Sequence, residues 1–84
     1  MFFIFLISTA PWAYAYEPRD AKEALRLGDN AFYFKEYDKA EEYYEWAVEE
    51  EPKEVEPLVK LAQLYYAKSE YQKAGEKFKA ASVL

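Results

Sequence analysis

Along residues 21–34 the small and apolar side chains Ala24, Leu27, Gly28, Ala31 and Phe34 recur at three- and four-residue steps. That spacing lines one face of an α-helix. Gly28 costs about 1 kcal/mol against alanine in a helix interior. Its presence there predicts close approach of its backbone to that of the next helix. Lys35, Glu36 and Tyr37 read as a short break. Asp38, followed three residues on by Glu41, has the pattern of a capping box for a second helix that runs to about Glu50. Ala40, Tyr43, Tyr44, Ala47 and Val48 should face inward, and Pro52 stops the helix. Pro57 suits the first turn of a third helix with the buried stripe Leu58, Leu61, Ala62 and Tyr65. Ser69 with Gln72 offers a cap for a fourth, whose inward face is Ala74, Phe78 and Ala81.

The second half of this pattern repeats the first. Glu36-Tyr37-Asp38-Lys39-Ala40 returns as Glu70-Tyr71-Gln72-Lys73-Ala74, thirty-four residues later. Leu27/Leu61, Glu42/Glu76 and Ala47/Ala81 are identical at the same offset, and Gly28/Ala62, Phe32/Tyr66 and Tyr44/Phe78 are close in character. Identities spread over the whole unit mark a structural period rather than one biased patch.

Residues 1–15 stand apart. Phe2-Phe3-Ile4-Phe5-Leu6-Ile7 is an unbroken apolar run, and Ala13-Tyr14-Ala15 is a small-x-small pattern. Together they resemble a secretory signal peptide cut after Ala15, although the usual Lys or Arg near the start is missing. The alternative is a retained apolar arm that packs on the domain or on another copy. The run is shorter than the roughly 20 residues a membrane-spanning helix needs. Residues 16–20 form a polar lead-in to the repeats.

Composition removes several function classes. The 84-residue chain has no cysteine and no histidine, so it lacks thiolates and imidazoles for catalysis or metal binding. The net charge of -5 argues against nucleic acid, which requires a basic face. With two glycines there is no phosphate-cradling loop, and no nucleophile-base pair is visible. Neither catalysis nor a cofactor is expected. Glu49-Glu50-Glu51 reads as a solvated rim, and the sharper alternative, a calcium or basic-partner site, lacks the loop spacing of a known cation motif.

From 21 onward the chain resembles the tetratricopeptide repeat family. The features that carry the likeness are the thirty-four-residue period, Leu27-Gly28 and Leu61-Ala62, Tyr37 and Tyr71, Ala40 and Ala74, Tyr44 and Phe78, Ala47 and Ala81, and Pro52. Ala24 departs from it, standing where the family often has a large aromatic. So does Ala31, where tyrosine is common, and Phe32 beside it is a source of the missing bulk. The resemblance implies an all-α fold of two antiparallel helix-turn-helix hairpins, repeat one at 21–54 and repeat two at 55–84, stacked as a short right-handed solenoid. It also implies a concave groove that binds a peptide or protein segment. By analogy the groove residues of the first unit are Lys22, Leu25, Asp29, Phe32 and Tyr33. Those of the second are Glu56, Val59, Gln63, Tyr66 and Ala67. The lysine-asparagine clamp that some members use on a terminal carboxylate is not expected, since Leu25, Asp29 and Tyr33 stand at those places.

The leading expectation is therefore an exported, periplasmic or extracellular, protein-protein interaction module. A second reading is a subunit that assembles with copies of itself into an oligomer or filament, because repeats cannot bury their faces alone. Its surface would comprise Tyr43, a Trp46 pointing away from the hairpin core, and the poorly covered Phe78, Val83 and Leu84. The five-residue echo itself is expected to set architecture rather than touch a ligand. Specificity should lie where the units differ, at Tyr33 against Ala67, Asp29 against Gln63 and Trp46 against Ala80.

Overall fold

A computed structural model describes residues 17–84, and the leader-like segment at 1–15 lies outside them. The described residues are all-helical. They form α1 (Ala21–Tyr33), α2 (Tyr37–Glu50), α3 (Val55–Ala67) and α4 (Tyr71–Ser82). α1 packs on α2 and α3 on α4, while α2 also packs on α3, so two hairpins meet through one shared helix. No helix among the described residues is long and apolar enough to cross a membrane.

Helix starts differ from the sequence expectation. α1 is capped by Asp20, whose Oδ1 accepts from the Glu23 N–H at 2.9 Å. Glu23 in turn accepts from the Arg19 N–H at 2.7 Å and from its guanidinium at 3.0 Å. α2 begins one residue before Asp38, with Glu36 at the N-cap and no side-chain cap. α4 likewise starts behind Glu70, so neither the Asp38–Glu41 nor the Ser69–Gln72 cap forms.

The reason lies in the preceding helix ends. Lys35 (φ 61°) and Ser69 (φ 65°) adopt the left-handed conformation that usually selects glycine. The Glu36 N–H then reaches the Ala31 carbonyl at 2.8 Å, and Lys35 N–H the Phe32 carbonyl at 2.9 Å. Glu70 N–H to Tyr65 (2.8 Å) and Ser69 N–H to Tyr66 (3.0 Å) repeat the arrangement. Both are Schellman closures. They satisfy the last carbonyls of one helix while turning the chain directly into the next. An aromatic pair spans each turn, Phe32 with Tyr37 at 5.6 Å between ring centroids and Tyr66 with Tyr71 at 5.2 Å.

The core draws on every helix. Ala31, Ala40, Tyr44, Leu61, Leu64, Tyr65 and Ala74 form one buried cluster, with Phe32 and Val48 packed against it. Ala21, Ala24 and Ala47 form a second. Trp46 was expected to point outward. It is instead partly buried against this second cluster, where three alanines leave room for an indole. Phe32 fills against Ala31 as expected. Leu64 is fully buried although the stripe read from the sequence omitted it.

Gly28 is met by a side chain of the next helix, the Tyr44 ring, rather than by the close backbone approach expected. A Cβ built there would lie 2.6 Å from Tyr44 Cδ1 and nearer still to Cε1. The other glycine, Gly75, has nothing within 4 Å of such a Cβ. The two should therefore respond oppositely to alanine. Gly75→Ala gains about 1 kcal/mol of helix propensity. Gly28→Ala gains the same propensity but overpacks a fixed ring at roughly 1–3 kcal/mol, for a net loss of up to about 2 kcal/mol. Thermal unfolding followed by circular dichroism should show Tm rising for Gly75→Ala and falling for Gly28→Ala, by about 4–8 °C per kcal/mol.

Candidate functional site

The C-terminal half of α1 and the middle of α3 border a hollow of about 580 Å³. Asp29, Phe32 and Tyr33 line it from α1, Lys60 and Gln63 from α3, and Tyr37 and Tyr44 from α2, with Lys35 at the turn. Tyr33 is 79% exposed and stacks edge-on against Phe34, with 5.1 Å between ring centroids. Phe32 and Tyr37 are half-buried beside it. The walls are thus aromatic and already ordered by the turn.

Charge in the hollow is partly cancelled. Asp29 accepts from the Tyr44 hydroxyl at 2.7 Å and faces Lys60 Nζ at 3.1 Å. These contacts join α1, α2 and α3 through one carboxylate. Burial, and then the Asp29 hydrogen bond and charge, push the Tyr44 pKa well above its ordinary 10.0, so the hydroxyl stays a donor far into alkali. With Asp29 occupied, Lys35 is the lining cation that has no carboxylate partner among the described residues.

A second hollow of about 250 Å³ lies at the N-terminal ends of the same two helices. Ala21, Lys22 and Leu25 of α1 face Glu56 and Pro57 of α3, with Glu51 and Glu54 from the connecting loop.

The expected groove residues therefore divide. Asp29, Phe32, Tyr33 and Gln63 come together in the larger hollow, and Lys22, Leu25 and Glu56 in the smaller. Val59 is half-buried and borders neither hollow. Tyr66 is exposed but leans on Tyr71 instead. Lys35, Lys60, Tyr37 and Tyr44 were not anticipated as lining. Tyr37 departs furthest, having been read as purely architectural. The spacing of Lys60 on the same stripe as Val59 and Gln63 carried a faint signal. Lys35 carried none, because its placement depends on the left-handed turn.

The proposed assembly residues divide too. Tyr43 is buried and Trp46 half-buried, whereas Phe78, Val83 and Leu84 are exposed. Among the described residues no group of carboxylates is arranged to hold a metal ion.

A second polar tie joins the hairpins on the opposite flank. Lys68 Nζ reaches Glu41 Oε1 at 3.0 Å and Asp38 Oδ1 at 3.5 Å, and the Tyr65 hydroxyl donates to Glu41 Oε2 at 2.9 Å. Burial pushes the Glu41 pKa up, but the hydrogen bonds from Lys68 and Tyr65 and the lysine charges outweigh it, leaving the pKa below 4.5. The hydrogen bond to Glu41 raises the Lys68 pKa above 10.5 against partial burial. Burial and then the Glu41 hydrogen bond raise that of Tyr65 above its ordinary 10.0. On the neighbouring acidic ridge, burial and then the charges of Glu41 and Glu42 raise Glu45 above 4.5.

No protein-family model matches the chain, and no characterised relative matches it.

The signs of these shifts set a pH profile. Glu41 is lowered, so its contribution is present above pH 4.5 and is lost as pH falls through its folded value. Glu45 is raised, so its protonation returns some stability before that loss begins. Tyr44, Tyr65 and Lys68 are raised, so theirs is present below about pH 10 and fades as pH climbs past it. Urea titrations across pH should show loss at both extremes. Glu41→Gln should flatten the acid limb, and Tyr44→Phe the alkaline limb.

Proposed function

We propose that this chain is a non-enzymatic interaction module of the tetratricopeptide type, exported from the cytoplasm, that holds an extended peptide or protein segment along the cleft between α1 and α3. The observation that carries the reading is the larger hollow. An exposed Tyr33 beside half-buried Phe32 and Tyr37 gives a preformed aromatic wall suited to apolar or proline-containing side chains. The thirty-four-residue echo and the paired hairpins support the same assignment. Export rests on the leader-like sequence at 1–15.

One further observation favours self-assembly as a second reading. Tyr44 and Phe78 occupy the same place in the two units, yet Tyr44 is 1% exposed and Phe78 is 43%. The second hairpin covers Tyr44, and nothing among the described residues covers Phe78 to that extent. A further hairpin, from another copy, would bury it.

Tyr33→Ala should weaken capture of proline- and aromatic-containing peptides from an immobilised array by about tenfold, as expected for losing an aromatic anchor. Tyr66→Ala, outside the hollow, should leave capture unchanged. Equal effects of the two, with helicity intact, would remove the cleft assignment. For the second reading, sedimentation velocity over a hundredfold concentration range should show association that Phe78→Glu abolishes. A monomer throughout would dismiss it.

A further inference from the structure

Building on the cleft as a peptide site, we infer that it is electrically bipolar and selects a segment with an acidic residue at one end and a basic residue at the other. The two hollows sit at opposite ends of α1, and at the middle and the first turn of α3, and they differ in charge. The larger holds Lys35 and the Lys60–Asp29 pair, which leaves one positive charge in excess. The smaller holds Glu51, Glu54 and Glu56 against Lys22, two negative charges in excess. These four residues form no ion pair with one another or with any other described residue.

Each charged end has an apolar partner surface. Phe32, Tyr33 and Tyr37 border Lys35, while Leu25 and Pro57 border the glutamates. Apolar contacts hold a segment in the cleft, and the charges fix which residue goes to which end. The last carbonyls of α1 are already used by the Schellman closure and so do little to offset Lys35. A homopolar segment would place a like charge at one end, which is where specificity arises.

The length of the segment follows from helix geometry. From Lys22 to Tyr33 is eleven residues of α1, or about 16 Å at 1.5 Å per residue. An extended chain covers that in about five residues at roughly 3.3 Å each. The selected segment is therefore an acidic and a basic residue separated by about four apolar or proline residues.

The test uses fluorescein-labelled hexapeptides with the common centre Pro-Phe-Pro-Leu and the full 84-residue chain. One peptide carries Glu and Lys at its ends, one carries two Glu, and one carries two Lys. Anisotropy at low ionic strength should show the bipolar peptide binding about tenfold tighter than either homopolar peptide, with the margin shrinking towards 0.5 M salt (an ionic strength chosen for the assay) as charges are screened. Lys35→Glu should move the preference to the two-Lys peptide, and Glu54→Lys with Glu56→Lys should move it to the two-Glu peptide. Lys35→Gln, which adds no new charge, should erase discrimination at that end alone. Equal binding of all three peptides, unmoved by these substitutions, overturns the bipolar assignment and leaves the cleft standing. Binding of none of them overturns both.

Discussion

Everything in the domain turns on the ring of Tyr44. Its ring lies against Gly28, where an added Cβ would force the ring to shift, and its hydroxyl reaches Asp29 one residue further along α1. The same ring sits in a cluster with Leu61, Leu64 and Tyr65 of α3 and Ala74 of α4. One side chain on the shared helix thus sets how closely α1 approaches and where the second hairpin rests. A chain this short buries only about 60% of the surface its unfolded form exposes. Such a domain has little surplus stability, so a contact that joins three helices at once carries unusual weight.

The polar ties follow from that placement. Asp29 is drawn toward Tyr44 and so comes within reach of Lys60 on the neighbouring hairpin. On the other flank Glu41 receives both Tyr65 and Lys68. Each carboxylate lies between hairpins and accepts from two partners, so the two ties fix the hairpins' mutual position. The Asp29–Lys60 pair uses charge that would otherwise face the cleft, and the charges left uncompensated there are Lys35 on the turn, Glu51 and Glu54 in the loop, and Lys22 and Glu56 in the first turns of α1 and α3.

The helical periods, the repeat offset and most of the buried stripe were legible in the sequence, because each depends on residue type at fixed spacing. Gly28 announced a close approach by the next helix, but the space is filled by the Tyr44 ring rather than by backbone, which spacing alone does not reveal. The cap residues were misread because Asp38 and Ser69 have the right chemistry but the wrong backbone. Left-handed Lys35 and Ser69 close the preceding helix so tightly that the next begins at once. The position of Trp46 was misread for a different reason. Its partners are alanines, and the vacancy they create becomes visible only when the helices are packed together. The lining of the cleft was half legible. Side chains on the α1 and α3 stripes could be listed by period, whereas Lys35 and Tyr37 reach the hollow through turn geometry that no spacing rule encodes.

The unequal cover of Tyr44 and Phe78 also bears on motion. Opening of a helix costs in proportion to the contacts it gives up, and protection from amide exchange records that cost helix by helix. α2 is enclosed by neighbours on two sides, while α4 packs on α3 and leaves its large aromatic partly in water. These contacts should therefore grade the chain, with slow exchange in α2 and α3, each held between two neighbours, and early release at α4. Because the cleft is bordered by α1 and α3, fraying of α4 can proceed without dismantling it.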